Sequence, residues 1–147
     1  MICDSSSENV RTRGPTPTSR FSTPRATDWE TAAQTIVTAA VIEVGAGRET
    51  RTHDWLLDPG IAIPDGAAAV HGISTDFASH NGMAAAAGVW EIAEALLRCT
   101  AEGVPVVGHN VTYDLTMLWA ESIRHQHHAH VTAIEDLATE GCVIDTF

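Results

Sequence analysis

At Gly103 the chain changes its hydrophobic period, and that change limits the folds open to it. Before it, "AAAAGVWEIAEALLRCTAEG" (84–103) sets Val89, Ile92, Ala93, Leu96 and Leu97 at the spacing of one helix face, and Gly103 supplies a helix stop. After it, "VPVVGH" (104–109) is a short apolar run without a helical stripe, which reads as a buried strand. A second helix is expected over "YDLTMLWAESIRHQ" (113–126), with Leu115, Leu118, Trp119 and Ser122 on its inner face. Helix, buried strand and helix in succession belong to an α/β domain.

The segments before this unit extend the sheet. "TIVTAAVIEV" (35–44) is β-branched and apolar, hence a buried strand. "GAG" (45–47) is a turn, and "ETRTHDWLLDP" (49–59) alternates polar with apolar, as an antiparallel partner would. "PDGAAAVHGIS" (64–74) reads as a loop with a helical turn, and "TDFASH" (75–80) as a short helix capped by Ser74. "CVIDTF" (142–147) reads as a last strand. The expected order is β-β-α-β-α-β in a mixed sheet, forming one domain over residues 34–147. Residues 1–33 are rich in Ser, Thr, Pro and Arg without periodicity, and are expected to be disordered or poorly packed.

Composition excludes several classes. At 147 residues and 44% hydrophobic, the chain suits one domain with a real core. It has no apolar run of transmembrane length, and its first twenty residues lack the apolar segment of a secretory signal. Cys3, Cys99 and Cys142 are too sparse for a disulfide framework, so a cytoplasmic setting is the expectation. The net charge is −11, yet residues 1–25 hold four arginines against Asp4 and Glu8, so the body is more acidic still. Such a body disfavours nonspecific binding along a phosphate backbone.

Three motifs carry a resemblance. "WLLDPGIAIPDGAAAVHGIS" (55–74), then "VVGHNVTYDLTML" (106–118), then "VIDTF" (143–147) resemble, in order and spacing, the DEDD-type 3′–5′ exonucleases, and most closely the proofreading epsilon subunit of bacterial DNA polymerase III. The resemblance runs from Thr35 to Phe147. It implies a ribonuclease-H-like α/β fold and hydrolysis of phosphodiesters at the 3′ end of DNA, with RNA as the other substrate and a DNA polymerase as a partner. Such chemistry uses two Mg²⁺ or Mn²⁺ ions, hard cations that take oxygen ligands and stabilise the attacking and leaving oxygens. On "HNVTYD" the resemblance makes Asp114 a catalytic metal ligand, and Asn110 and Tyr113 substrate contacts. It assigns Val70 and His71 to the same nucleotide pocket, and marks Asp145 as a landmark that does not bind metal. From the residues alone, Asp114 is equally a helix N-terminal acid favoured by the macrodipole, His71 a loop histidine and Tyr113 a core residue.

The sequence departs from the family at both ends. Its first motif, Asp-x-Glu, should precede "TIVTAAV", but aligning Phe21 with the family's apolar residue puts Ser22 and Pro24 at the two acidic positions. Asp28 and Glu30 have the spacing but stand too close to Ile36. With permitted codons, "FSTPR" read one nucleotide earlier gives Leu-Asp-Thr-Glu, so a frame shift before about Ala26 accounts for the missing motif. The third motif, a His and an Asp, does not occur before the chain ends. The expectation is a fold incomplete at both ends, lacking its central first-motif strand between Thr35 and Val104, and weak or inactive. The alternative is a non-catalytic nucleic-acid-binding or polymerase-associated module. His125, His127, His128 and His130 form a tract that can bind zinc or nickel, but reads more simply as a solvated helix end before a loop.

Overall fold

The computed structural model describes residues 2–4, 35–45, 49–139 and 143–146. Asp28, Glu30 and the rest of residues 5–34 lie outside them, as do residues 46–48 of the expected turn and Cys142.

The architecture is mixed α/β. β2 (Thr38–Val44) and β3 (Arg51–Asp58) form the expected antiparallel pair, in register from Thr38 opposite Leu56 to Glu43 opposite Arg51. Their inward residues include Val41, 1% exposed, and Leu57, 0% exposed. β4 (Met83–Ala84) pairs parallel with the end of β3. On the far side of the sheet, β5 (Val106–Gly108) runs parallel to β6 (Val143–Asp145). The strand order is β4-β3-β2-β1-β5-β6.

The central position is filled by β1 (Ile2–Asp4), from the segment expected to be unstructured. It pairs parallel with β2, Ile2 opposite Ile42, and antiparallel with β5, Ile2 opposite Val107. The strands on either side thus keep their hydrogen-bonding partner, though from different residues than the resemblance required. Direction matters here. β1 ends at Asp4, opposite Val44, whereas the β5–helix junction lies at the other end of the sheet.

Five helices accompany the sheet among the described residues. α1 (Asp65–His71) and α2 (Thr75–Asn81) are short; the first was read as a loop with one turn. Ser74 caps α2 as expected, its hydroxyl accepting from the Phe77 amide at 3.1 Å. α3 (Ala85–Ala101) buries Val89, Ile92, Ala93, Leu96 and Cys99, with Leu97 only half-buried. It ends in a Schellman turn: Gly103 adopts φ 74°, its amide bonds the Thr100 carbonyl, and the Val104 amide bonds the Cys99 carbonyl. α3 also contains Gly88, where a Cβ would lie 1.9 Å from Leu57 Cδ2, so the helix approaches β3 more closely than alanine would permit. α4 (Val111–Arg124) buries Leu115, Leu118, Trp119 and Ser122, as the periodicity predicts. α5 (His128–Thr139) is where a loop was expected; it buries His130, Ile134 and Leu137 against α3 and α4.

Candidate functional site

The β5–α4 junction is tight. A Cβ on Gly108 would stand 3.0 Å from Val111 Cβ, so the helix starts almost on top of the strand. Asn110 makes the turn at φ 55°, a left-handed conformation that asparagine tolerates better than most residues. Its own side chain does not cap the helix. Asp145, from the end of β6, does so from outside: Oδ1 accepts from the Asn110 amide at 2.8 Å and Oδ2 from the Thr112 hydroxyl at 3.4 Å. A carboxylate facing free amides at a helix N-terminus is favoured by both hydrogen bonding and the macrodipole. The Thr146 amide then bonds the Gly108 carbonyl at 2.9 Å and fastens the strand ends. The aspartate of "VIDTF" thus clasps the β5–α4 junction.

Asp114 follows in the first turn of α4. It lines a cavity of about 550 Å³, within the range of small-molecule sites. One wall is the start of β2 and the residues before it, 35–41; another is Ala62, Ile63 and Pro64, pinned where the Ile63 amide meets the Thr75 hydroxyl at 2.9 Å. Ile92, Leu96, Met117 and Leu118 form an apolar floor. The polar groups are concentrated at the rim, where His71 and Tyr113 join Asp114. Asp114 is exposed on one side, but the cavity wall desolvates it and raises its pKa above the usual aspartate value, and the Asp145 charge adds to the rise.

His71, Tyr113 and Asp114, named from two separate motifs, therefore meet at one cavity. His71 ends α1 and its Nδ1 accepts from the Ile73 amide at 3.2 Å. Tyr113 is half exposed. Val70 is 87% exposed and outside the cavity, because the helical turn that brings His71 to the rim sends its neighbour into solvent. Asn110 gives its backbone to the Asp145 clasp and is likewise outside the cavity wall. The wall contributed by residues 35–41 had no motif to announce it; strand pairing brings it there.

Asp4 lies at the opposite end of the sheet by register. Among the described residues, no three His, Cys, Asp or Glu side chains are grouped to hold a cation. None of Arg51, Arg98 and Arg124 lines the cavity. Among the described residues, no helix is long and apolar enough to cross a membrane. Comparison of the chain with models of protein families, with curated proteins and with solved structures returned no match.

Proposed function

We propose that this chain is a 3′–5′ exonuclease-like domain of ribonuclease-H-like design that takes the 3′ end of a nucleic acid, DNA foremost, into the cavity beside Asp114. The observation that carries the reading is the convergence of His71, Tyr113 and Asp114 on one cavity at the carboxyl end of β5. Ligands of open α/β sheets bind at the carboxyl ends of parallel strands, and β5 and β6 form such a pair.

The chain's own groups divide the work of binding. The apolar floor accepts a base or sugar, and the half-exposed ring of Tyr113 on the cavity lining offers stacking, which is tolerant of base identity. With no arginine among the described residues of the cavity wall and an acidic body, affinity comes from capture of a terminal nucleotide rather than from tracking phosphates.

The two-ion centre of the resembling family does not fit the described residues. Asp114 has the right place, but Asp145, whose charge reaches it, is engaged in the clasp on Asn110 and Thr112. No chemical step is therefore derived through Mg²⁺ or Mn²⁺. Weak hydrolysis or none is expected, and the same misfit favours the second reading of this site, a non-catalytic module that holds a 3′ end for an associated polymerase.

The test compares two single-stranded DNA oligonucleotides, labelled at the 5′ end, one with a free and one with a blocked 3′ end. Anisotropy should show preference for the free end, and Tyr113→Ala should weaken binding roughly fivefold to a hundredfold, about 1–3 kcal/mol. Equal binding of both oligonucleotides, unaffected by Tyr113→Ala, would overturn the site. With Mg²⁺ or Mn²⁺ added, digestion should be slow or absent. Robust digestion abolished by Asp114→Ala would overturn the expectation of weak catalysis.

A further inference from the structure

The second polar centre of the molecule lies at the other end of α4, where the chain turns through residues 125–127 into α5. Three histidines gather there. The ring centroids of His125 and His127 are 6.0 Å apart and those of His127 and His130 are 5.9 Å apart. Trp90 of α3 packs against both His127, at 5.3 Å, and His130, at 4.2 Å. Among the described residues, the side-chain nitrogens and oxygens that are shielded from solvent and lack a hydrogen-bond partner are His125 Nε2, His127 Nδ1 and His130 Nδ1. All three belong to this one cluster.

We propose that the α4–α5 turn binds a transition-metal cation of borderline softness, such as Zn²⁺, through the ring nitrogens of His125, His127 and His130. Imidazole nitrogen is a preferred donor for such ions. His130 is the anchor. It is 3% exposed, and its Nε2 faces Glu94 Oε1 at 2.7 Å. A proton on Nε2, shared with that carboxylate, leaves the lone pair on the unpartnered Nδ1, which is the carboxylate–histidine arrangement that orients metal ligands. His127 stands between the other two rings, with Trp90 packed edge-on against it. His125 Nε2 lies 3.2 Å from Glu121 Oε2 without hydrogen-bond alignment, so a carboxylate is at hand to offset cation charge.

As the rings stand, three donors do not yet meet at a point. Two imidazoles that share a tetrahedral ion at the usual Zn–N distance have centroids about 5 Å apart. The two observed gaps exceed that by about 1 Å, so binding requires the rings of His125 and His127 to turn toward His130. Protein-only ligation by nitrogen also suits this location, since the nearest described thiol chemistry, Cys99, is buried in the core away from the turn.

The experiment titrates the metal-free full chain with Zn²⁺ against a chelating dye, and with Co²⁺ followed by its visible absorption. One ion per chain at micromolar Zn²⁺ and a tetrahedral Co²⁺ spectrum are expected. His127→Gln, at a half-buried position that leaves the core intact, should abolish the Co²⁺ spectrum. Glu94→Gln, which keeps shape but removes the orienting carboxylate, should weaken Zn²⁺ roughly tenfold to a hundredfold. Circular dichroism checks that both variants fold. No binding by the parent chain, or binding that His127→Gln leaves undiminished, overturns the proposal; the second result would assign the ion to other donors, the cysteines included. Neither result bears on the cavity at Asp114.

Discussion

Helix α4 carries a polar cluster at each end, and the two are built on opposite terms. At its N-terminus the groups are exposed and paired: Asp145 receives the Asn110 amide and the Thr112 hydroxyl. At its C-terminus the groups are buried and only partly paired. Glu121, 2% exposed, holds Arg124 and lies 3.2 Å from His125 Nε2 without hydrogen-bond alignment, so that nitrogen and two more ring nitrogens have no hydrogen-bond partner. A buried polar atom left unpaired costs roughly 1–3 kcal/mol, and native proteins keep few of them. The contrast teaches how to separate two uses of the same residue types. A carboxylate whose two oxygens accept from a backbone amide and a hydroxyl is a clasp, whereas orphaned nitrogens gathered in one place are a standing cost that a ligand would remove.

The comparison breaks first at Glu121. Glu121→Ala removes the acid that Arg124 and His125 share at the end of α4. Loss of one partner from a buried pair costs about 3–5 kcal/mol. Arg124 is 31% exposed and can turn to water, so about 2–3 kcal/mol is expected, read as a drop in denaturant midpoint at unchanged slope. A loss below about 0.5 kcal/mol would mean that this end of α4 tolerates unpaired charge, and the contrast between the ends would fail.

Asp145→Ala should cost less, about 1 kcal/mol, the usual value of a side-chain cap at an exposed helix start. The loss should be local. Hydrogen exchange at the Asn110 amide should accelerate while the amides of Ile92 to Leu96, in the middle of α3, stay protected. Uniform acceleration throughout the chain would show that the clasp supports the whole sheet and not merely the β5–α4 junction.

How far these features could be read from sequence follows from the range of the forces involved. The faces of α3 and α4 were legible because their apolar residues repeat with the helix period, and Ser74 and Gly103 because capping is local. α5 was not: its stripe of His130, Ile134 and Leu137 has a histidine at one corner, and a tract of histidines reads as solvent-facing until α3 is seen to cover it. β1 was invisible because three residues carry no period, and only the gap between β2 and β5 gives Ile2–Asp4 a use. In the candidate site, Asp114, Tyr113 and His71 were legible through motif spacing. Val70 and Asn110 fall outside the cavity, because adjacency in a motif says nothing about which side of a turn a residue occupies.

The smallest effect tests whether Asp114 is kept at the cavity at a cost to stability. Its pKa is raised, by desolvation first and by the Asp145 charge as well. Above the raised folded-state value, both folded and unfolded chains carry the carboxylate, and the folded chain bears the full penalty. As pH falls through that value toward the unfolded one, the folded chain takes up its proton first and the penalty fades. Asp114→Asn removes the charge altogether. The melting temperature of the variant relative to the parent should therefore rise as pH is raised from about 3 to about 7. The exposed side of Asp114 keeps the whole change within about 0.5 kcal/mol, so differential melting in a shared buffer series is the measurement of choice. A difference that is flat with pH, or that falls as pH rises, would mean the carboxylate is stabilised where it stands, as the Asp145 carboxylate is, and the two acids at this end of α4 would then both be clasps.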